Sequence, residues 1–292
     1  MIDPSMTRTA IIAAMSGELK PLVKGWQHER RNNVDLWTWC FDEGEWVAAC
    51  AGAGQQAATR AFSEVEKDGP IDRVVSVGWA GALSERLVRG RAYNVAGVID
   101  MRTGERFEAE DLAGPEREVG MQTHPSDKNK DVARVGHPAD CSPRSQNRDL
   151  GHPDLFQVGS PGLWLVTSPK VANAAEKRRL AGVYHAGLVD MEAAAVARLA
   201  AMRGIPFSCI KGVSDGLTDN LPDFNLFISP QGQFQMARFI LFVILGPWFW
   251  LELIHMGQNS RKASQAIRES LFENLDRPGA VGNRNGDSDL KP

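Results

Sequence analysis

The run DMEAAAVARLAAMRGIPFSCIKGVSDG, residues 190–216, decides the fold. Its first half is rich in Ala, Leu and Met, which favour helix; Asp190 is suited to cap the start and Gly204 to stop the end. From Pro206 to Ser214 the chain reads as a buried strand, and another strand is expected near Tyr184 to Val189. Strand, helix and strand in that order form a unit of an α/β sheet. Upstream, Leu163 to Thr167 (LWLVT) reads as a strand and the stretch near Asn173 to Leu180 as a helix.

The same alternation runs through the first hundred residues. Thr9 to Met15 (TAIIAAM) reads as a buried first strand leading through Ser16, Gly17 and Glu18 into a helix around Leu19 to Trp26. Leu36 to Phe41 and Trp46 to Ala51 read as paired strands, with a turn over residues 42–45, which is a hairpin signal. A helix from Gln55 to Lys67 follows, then strands at Arg73 to Val77 and Arg91 to Ile99. Because βα units alternate with a hairpin, the expected fold class is α/β, a three-layer α/β/α sandwich around a central mixed sheet. Residues 104–162 are polar and rich in Pro, Asp and Ser, and are expected to form a long, partly disordered excursion. The expected organisation is one domain over residues 1–255 and a partly disordered C-terminal extension over 256–292, with residues 277–292 as a disordered tail.

Composition narrows the function. Of 292 residues, 43% are hydrophobic and 24% charged, which argues against collagen-like, coiled-coil or wholly disordered chains. Lys and Arg number 33 against 36 Asp and Glu, and a net charge of −3 disfavours a general nucleic-acid binder. Cys40, Cys50, Cys141 and Cys209 stand far apart and read as free thiols in a reducing compartment. The N-terminal apolar run is too short for a signal peptide, so a cytoplasmic location is expected. The run FILFVILGPWFWLELI (Phe239 to Ile254) falls short of the roughly 20 apolar residues of a spanning helix, is broken by Gly246-Pro247 and carries Glu252. A buried or interface helix is the stronger reading there, and a membrane contact through 239–254 the weaker. His28, His124, His137, His152, His185 and His255 show no ligand spacing, so neither metal nor cofactor is expected.

Three acids, Glu18, Glu192 and Asp215, stand at strand ends or helix starts, where open α/β sheets place ligands. Each alone is explained by structure, as a first-turn acid facing a helix dipole or as a turn residue. Together they stand at equivalent ends of separate units, where one sheet edge would gather them.

The segments AIIAAMSGEL (10–19), VVSVGWAGAL (74–83), LVDMEAAAVA (188–197) and IKGVSDG (210–216) resemble, in this order, the nucleoside phosphorylase and nucleosidase superfamily. They are most similar to the 5′-methylthioadenosine/S-adenosylhomocysteine nucleosidases, over roughly Thr9 to Met101 and Leu163 to Phe227. The resemblance implies a phosphorylase/hydrolase-like fold and cleavage of an N-glycosidic bond. It implies that Glu18 binds and deprotonates the attacking water and that Met191 and Glu192 contact the ribose. It further implies that Asp215, after Ser214, protonates the purine, and that Gly78, Ala80 and Gly81 line the base and ribose pocket. Such chemistry suits a bond whose cleavage builds oxocarbenium character on the sugar and negative charge on the base.

Three positions depart from the family pattern. Trp79 replaces a small residue, Lys211 stands where Arg is usual, and Val171 aligns with an aromatic that stacks on adenine. The loop VSVGWAGAL has no Arg of the kind a phosphate site needs, and Glu18 would repel phosphate, so hydrolysis is favoured over phosphorolysis. Gly52-Ala53-Gly54 mimics a dinucleotide fingerprint but lacks its acid about 20 residues on, and reads instead as close backbone packing near the ribosyl site. The implied partner is a small nucleoside, with no nucleic acid, and the expected assembly is a homodimer. A non-catalytic or membrane-associated relative of the same fold is the third reading.

Overall fold

Strand β1 (Thr7–Ala13) is buried from Arg8 onward, as its apolar run requires of a central strand. The structure, a computed structural model, describes residues 7–41, 44–112, 162–219, 222–229, 234–235, 238–239 and 250–275. Strand β1 lies between β4 (Gly44–Cys50) and β5 (Arg73–Ser76), parallel to both. Its side chains alternate between two core layers. Ala10 and Ile12 pack with Ala58 and Phe62 of helix α2 (Gln55–Glu66), whereas Ile11 and Ala13 share a cluster with Ile267 and Leu271 of helix α5 (Trp250–Asn274). Helices therefore cover both faces, and the three-layer α/β/α sandwich is the observed fold.

The sheet is mixed. β12 (Phe207–Asp215) runs parallel to β5 and to β6 (Trp79–Ala82), while β6 meets β11 (Leu188–Asp190) antiparallel. Beyond β11 lie β10 (Trp164–Thr167), β8 (Gly97–Asp100) and β9 (Arg106–Glu108), and β7 (Ala92–Asn94) pairs with β12. The expected hairpin is β3 (Val34–Phe41) against β4. Helix α4 (Ala193–Arg203) packs its alanines close to α2 and ends at Gly204 in the left-handed region, φ 65°. Helix α3 (Ala174–Tyr184) is capped by the Asn173 side chain, which accepts from the Glu176 N–H.

Several local expectations are corrected. The helix expected over 19–26 is only α1 (Ser16–Leu19), because Pro21 cannot donate a helical bond; the N–H groups of Leu22 and Val23 turn back to the Leu19 carbonyl. The polar strand β2 (Gln27–Arg31) was not expected and is held by backbone pairing to β3. The strand expected over 91–99 divides into β7 and β8. Helix α3 continues to Tyr184, so the next strand begins at Leu188. Asp190 ends β11 and caps from there, accepting the Ala193 N–H at 2.9 Å. The polar excursion begins with an ordered strand, β9, paired with β8; residues 113–161, including Cys141, His124, His137 and His152, lie outside the described residues.

Residues 256–274, assigned from the sequence to the extension, belong to α5, which packs on β12. A Cβ on Gly212 would come within 2.7 Å of the Ala263 Cβ, so glycine there lets helix and strand approach. The tail over 277–292 and residues 240–249 of the apolar run lie outside the described residues. Among the described residues no helix is long and apolar enough to cross a membrane, and no group of three or more acidic, His or Cys side chains is placed to hold a metal.

Candidate active site

The turn after β1 folds back so that Glu18 faces the backbone it has just left. Its Oε2 accepts the N–H groups of Ala14 at 2.9 Å and Met15 at 3.1 Å, and Oε1 accepts the Trp79 N–H at 3.1 Å. Gly78 sits directly behind: it has φ +133°, and a Cβ would lie 2.9 Å from Glu18 Oε2. Burial raises the Glu18 pKa above the usual carboxylate value, while its backbone hydrogen bonds and the Lys211 charge work the other way.

Glu192 lies between the end of β11 and the start of α4, and its Oε1 accepts the Gly54 N–H at 2.6 Å. The Gly52-Ala53-Gly54 loop is thus packed against an acid of the site. Burial, then the neighbouring Asp190 charge, pushes the Glu192 pKa up to about 8, against the pull of Lys211. Lys211 is fully buried, with Nζ 2.9 Å from Asp190 Oδ2 and donating to Ser76 Oγ and the Val77 carbonyl at 3.2 Å. Burial disfavours its charge, but Asp190 outweighs that and holds the ammonium above its ordinary pKa. Asp190 also accepts the Thr167 hydroxyl at 2.7 Å.

A stability consequence follows from Glu192. A carboxyl raised from 4.5 to about 8 favours the folded state while protonated, and that contribution is lost as pH rises through this window. Glu18, raised by burial, acts in the same direction. Thermal melts of the unliganded protein should therefore fall in Tm between pH 4.5 and 8, and Glu192→Gln should flatten the fall; a variant retaining the whole slope would show that Glu192 does not cause it.

Asp215 ends β12. The Ser214 hydroxyl donates to its Oδ1 at 2.5 Å, and Lys177 Nζ pairs with Oδ2 and donates to the Gly216 carbonyl at 2.6 Å. Lys177 comes from α3 and is only 2% exposed.

These groups open on one cavity of about 530 Å³, within the range of small-molecule sites. Glu18, Glu192, Asp215, Met191, Ala80, Gly81, Val171 and Ser214 all line it; Gly78 does not, standing one layer back behind Glu18. Trp79 forms part of the wall, and its indole N–H faces α5, with the Ser260 carbonyl at 3.0 Å and Ser264 Oγ at 2.9 Å. The Val171 backbone is held at both polar groups by the Asn225 side chain, at 2.8 and 3.1 Å. Phe224, Ile228, Phe234, Phe239 and Met256 supply an apolar side that sequence reasoning missed. It also missed Lys177, which stands in a charged helical run, EKRR, that reads as solvated.

Comparison with known proteins bears on the family and the fold. The family described as the phosphorylase superfamily matches residues 8–241. No curated protein matches the chain. Among solved structures, the 5′-methylthioadenosine/S-adenosylhomocysteine nucleosidase of Helicobacter pylori is 14% identical, with 92% of this chain and 99% of that one covered at a TM-score of 0.56. Futalosine hydrolase of the same organism is 14% identical, covering 92% and 98% at 0.56. The nucleosidase of S. pneumoniae bound to a transition-state inhibitor is 17% identical, covering 92% and 100% at 0.55. At these identities the likeness is one of fold.

Proposed function

The chain belongs to the phosphorylase superfamily, an enzyme family, and we propose that it cleaves the N-glycosidic bond of a purine nucleoside or thionucleoside with water as nucleophile. The observation that carries this reading is the meeting of Glu18, Glu192 and Asp215 on one cavity whose described lining contains no arginine. The Lys177 ammonium is paired with Asp215, and that of Lys211, behind the wall, with Asp190. A phosphate dianion entering here would find no guanidinium and the acid Glu18, with Lys177 and Lys211 already engaged and Lys170, exposed on the lining, as the remaining lysine. Water suits the site better.

In this reading Glu18 binds the water and takes its proton; a carboxylate raised by burial is the stronger base near neutral pH. Glu192 accepts hydrogen bonds from ribose hydroxyls, beside Met191. Asp215, oriented by Ser214, delivers a proton to the leaving purine. Ala80 and Gly81 leave room for the sugar and base, and Val171 packs on the base. The bond breaks with both electrons leaving on the purine, while the ribose carbon takes the hydroxyl. The reading extends to methylthioadenosine or S-adenosylhomocysteine as substrate, to methylthioadenosine recycling in the cytoplasm, and to a homodimer.

Base release from methylthioadenosine, S-adenosylhomocysteine, adenosine and inosine, followed by chromatography with and without phosphate, tests it. Release independent of phosphate is expected. Release only with phosphate, with ribose 1-phosphate as product, would replace hydrolysis by phosphorolysis.

A further inference from the structure

Resting on the proposed hydrolysis, we propose that Lys177 supplies, through Asp215, the proton that the leaving base takes up. The difficulty it resolves is visible in the hydrogen bonds. Asp215 receives the Ser214 hydroxyl on Oδ1 and the Lys177 ammonium on Oδ2, so both oxygens act as acceptors. A carboxylate in an ion pair holds no proton of its own to give. The nearest acidic proton is on Lys177 Nζ.

The placement is built rather than incidental. Lys177 is 2% exposed, yet it is the fourth residue of helix α3, and its neighbours Arg178 and Arg179 are exposed. Its side chain reaches Asp215 across β6 at Gly81, where a Cβ would lie 2.9 Å from Lys177 Cε and 3.2 Å from Asp215 Oδ2. The Gly216 carbonyl takes a second ammonium proton at 2.6 Å, which fixes Nζ at the strand end. Burying a lysine this deeply is costly unless it is paired; both members of this pair border the cavity, and Asp215 is the more exposed of the two.

The step balances as follows. The bond from the ribose carbon to the purine nitrogen breaks with both electrons going to the base. A proton passes from Lys177 Nζ to Asp215 Oδ2 and from Asp215 to the base. Water loses its proton to Glu18 and adds as hydroxyl to the ribose carbon. The neutral Lys177 amine regains a proton from solvent, and Glu18 returns its own. Lys177 borders the same cavity, but its side chain is 2% exposed against 14% for Asp215, so in this step it acts through Asp215.

The test compares two leaving groups in the full chain. Lys177→Met keeps the length of the side chain and removes the proton. With methylthioadenosine, whose base needs protonation, kcat is expected to fall by about 10²–10⁴-fold in Lys177→Met. With p-nitrophenyl riboside, whose leaving group departs as an anion, the loss is expected to stay below about 10-fold, since no general acid is needed. An equal fall with both substrates, or no fall with methylthioadenosine, would overturn the proposal while leaving hydrolysis standing. A parent protein inert toward both substrates would overturn hydrolysis itself, and this inference with it.

Discussion

Glu18→Gln is expected to lower kcat for base release by about 10²–10⁴-fold, the range associated with loss of a general base. The competing role for this residue is architectural, because its two oxygens gather the N–H groups of Ala14, Met15 and Trp79. Glutamine separates the two roles. Its carbonyl oxygen can still accept from Ala14 and Met15, but its amide would face the Trp79 N–H, donor against donor. That conflict should destabilise the protein by about 1–3 kcal/mol, a shift that a thermal melt reads directly. A melt lowered by that amount with kcat reduced less than threefold would assign Glu18 to the turn alone and leave water without a base. The expected pattern is a modest loss of stability and a large loss of rate.

The parts of the fold that could be read from sequence are those where apolar pattern and local chemistry agree. The run at 190–216 contains its own helix former, stop and buried strand, and the structure follows it closely, ending α4 at Gly204 and β12 at Asp215. β2 was missed because QHERR has no apolar face: it is an edge strand held by backbone bonds, with nearly all of its side chains exposed. Helix α5 carried a readable signal, since Ala263, Ile267, Leu271 and Leu275 recur every four residues and are all buried, but the polar residues between them hide the stripe. Convergence of the three acids goes beyond what a parallel βα pattern implies, because β1 and β12 run the same way but β11, antiparallel to β6, runs the other, and Glu192 reaches the site from the turn between β11 and α4. Lys177 was beyond reach, since nothing in EKRR shows that a strand from elsewhere in the chain carries a glycine under its one lysine. The apolar wall was equally hidden, being assembled from side chains scattered between Phe224 and Met256.

Asp215→Asn is expected to reduce purine release by about 10²–10⁴-fold, and its effect on stability tells whether the rate loss is chemical. Asparagine can still accept from Lys177 through its amide oxygen but removes the charge that pairs with it, leaving a nearly inaccessible ammonium without a counter-charge. Breaking one side of such a pair costs about 3–5 kcal/mol, so the single variant should melt lower and could lose activity merely by unfolding. Adding Lys177→Met to Asp215→Asn removes the stranded charge as well. The double variant is expected to recover most of the melting temperature, because the two residues are in contact and their effects are not additive. Activity should not recover with it, since the group that faces the base is still absent. If rate returned together with stability, Asp215 would be a structural partner of Lys177 and the proton for the leaving base would have to come from another wall of the cavity.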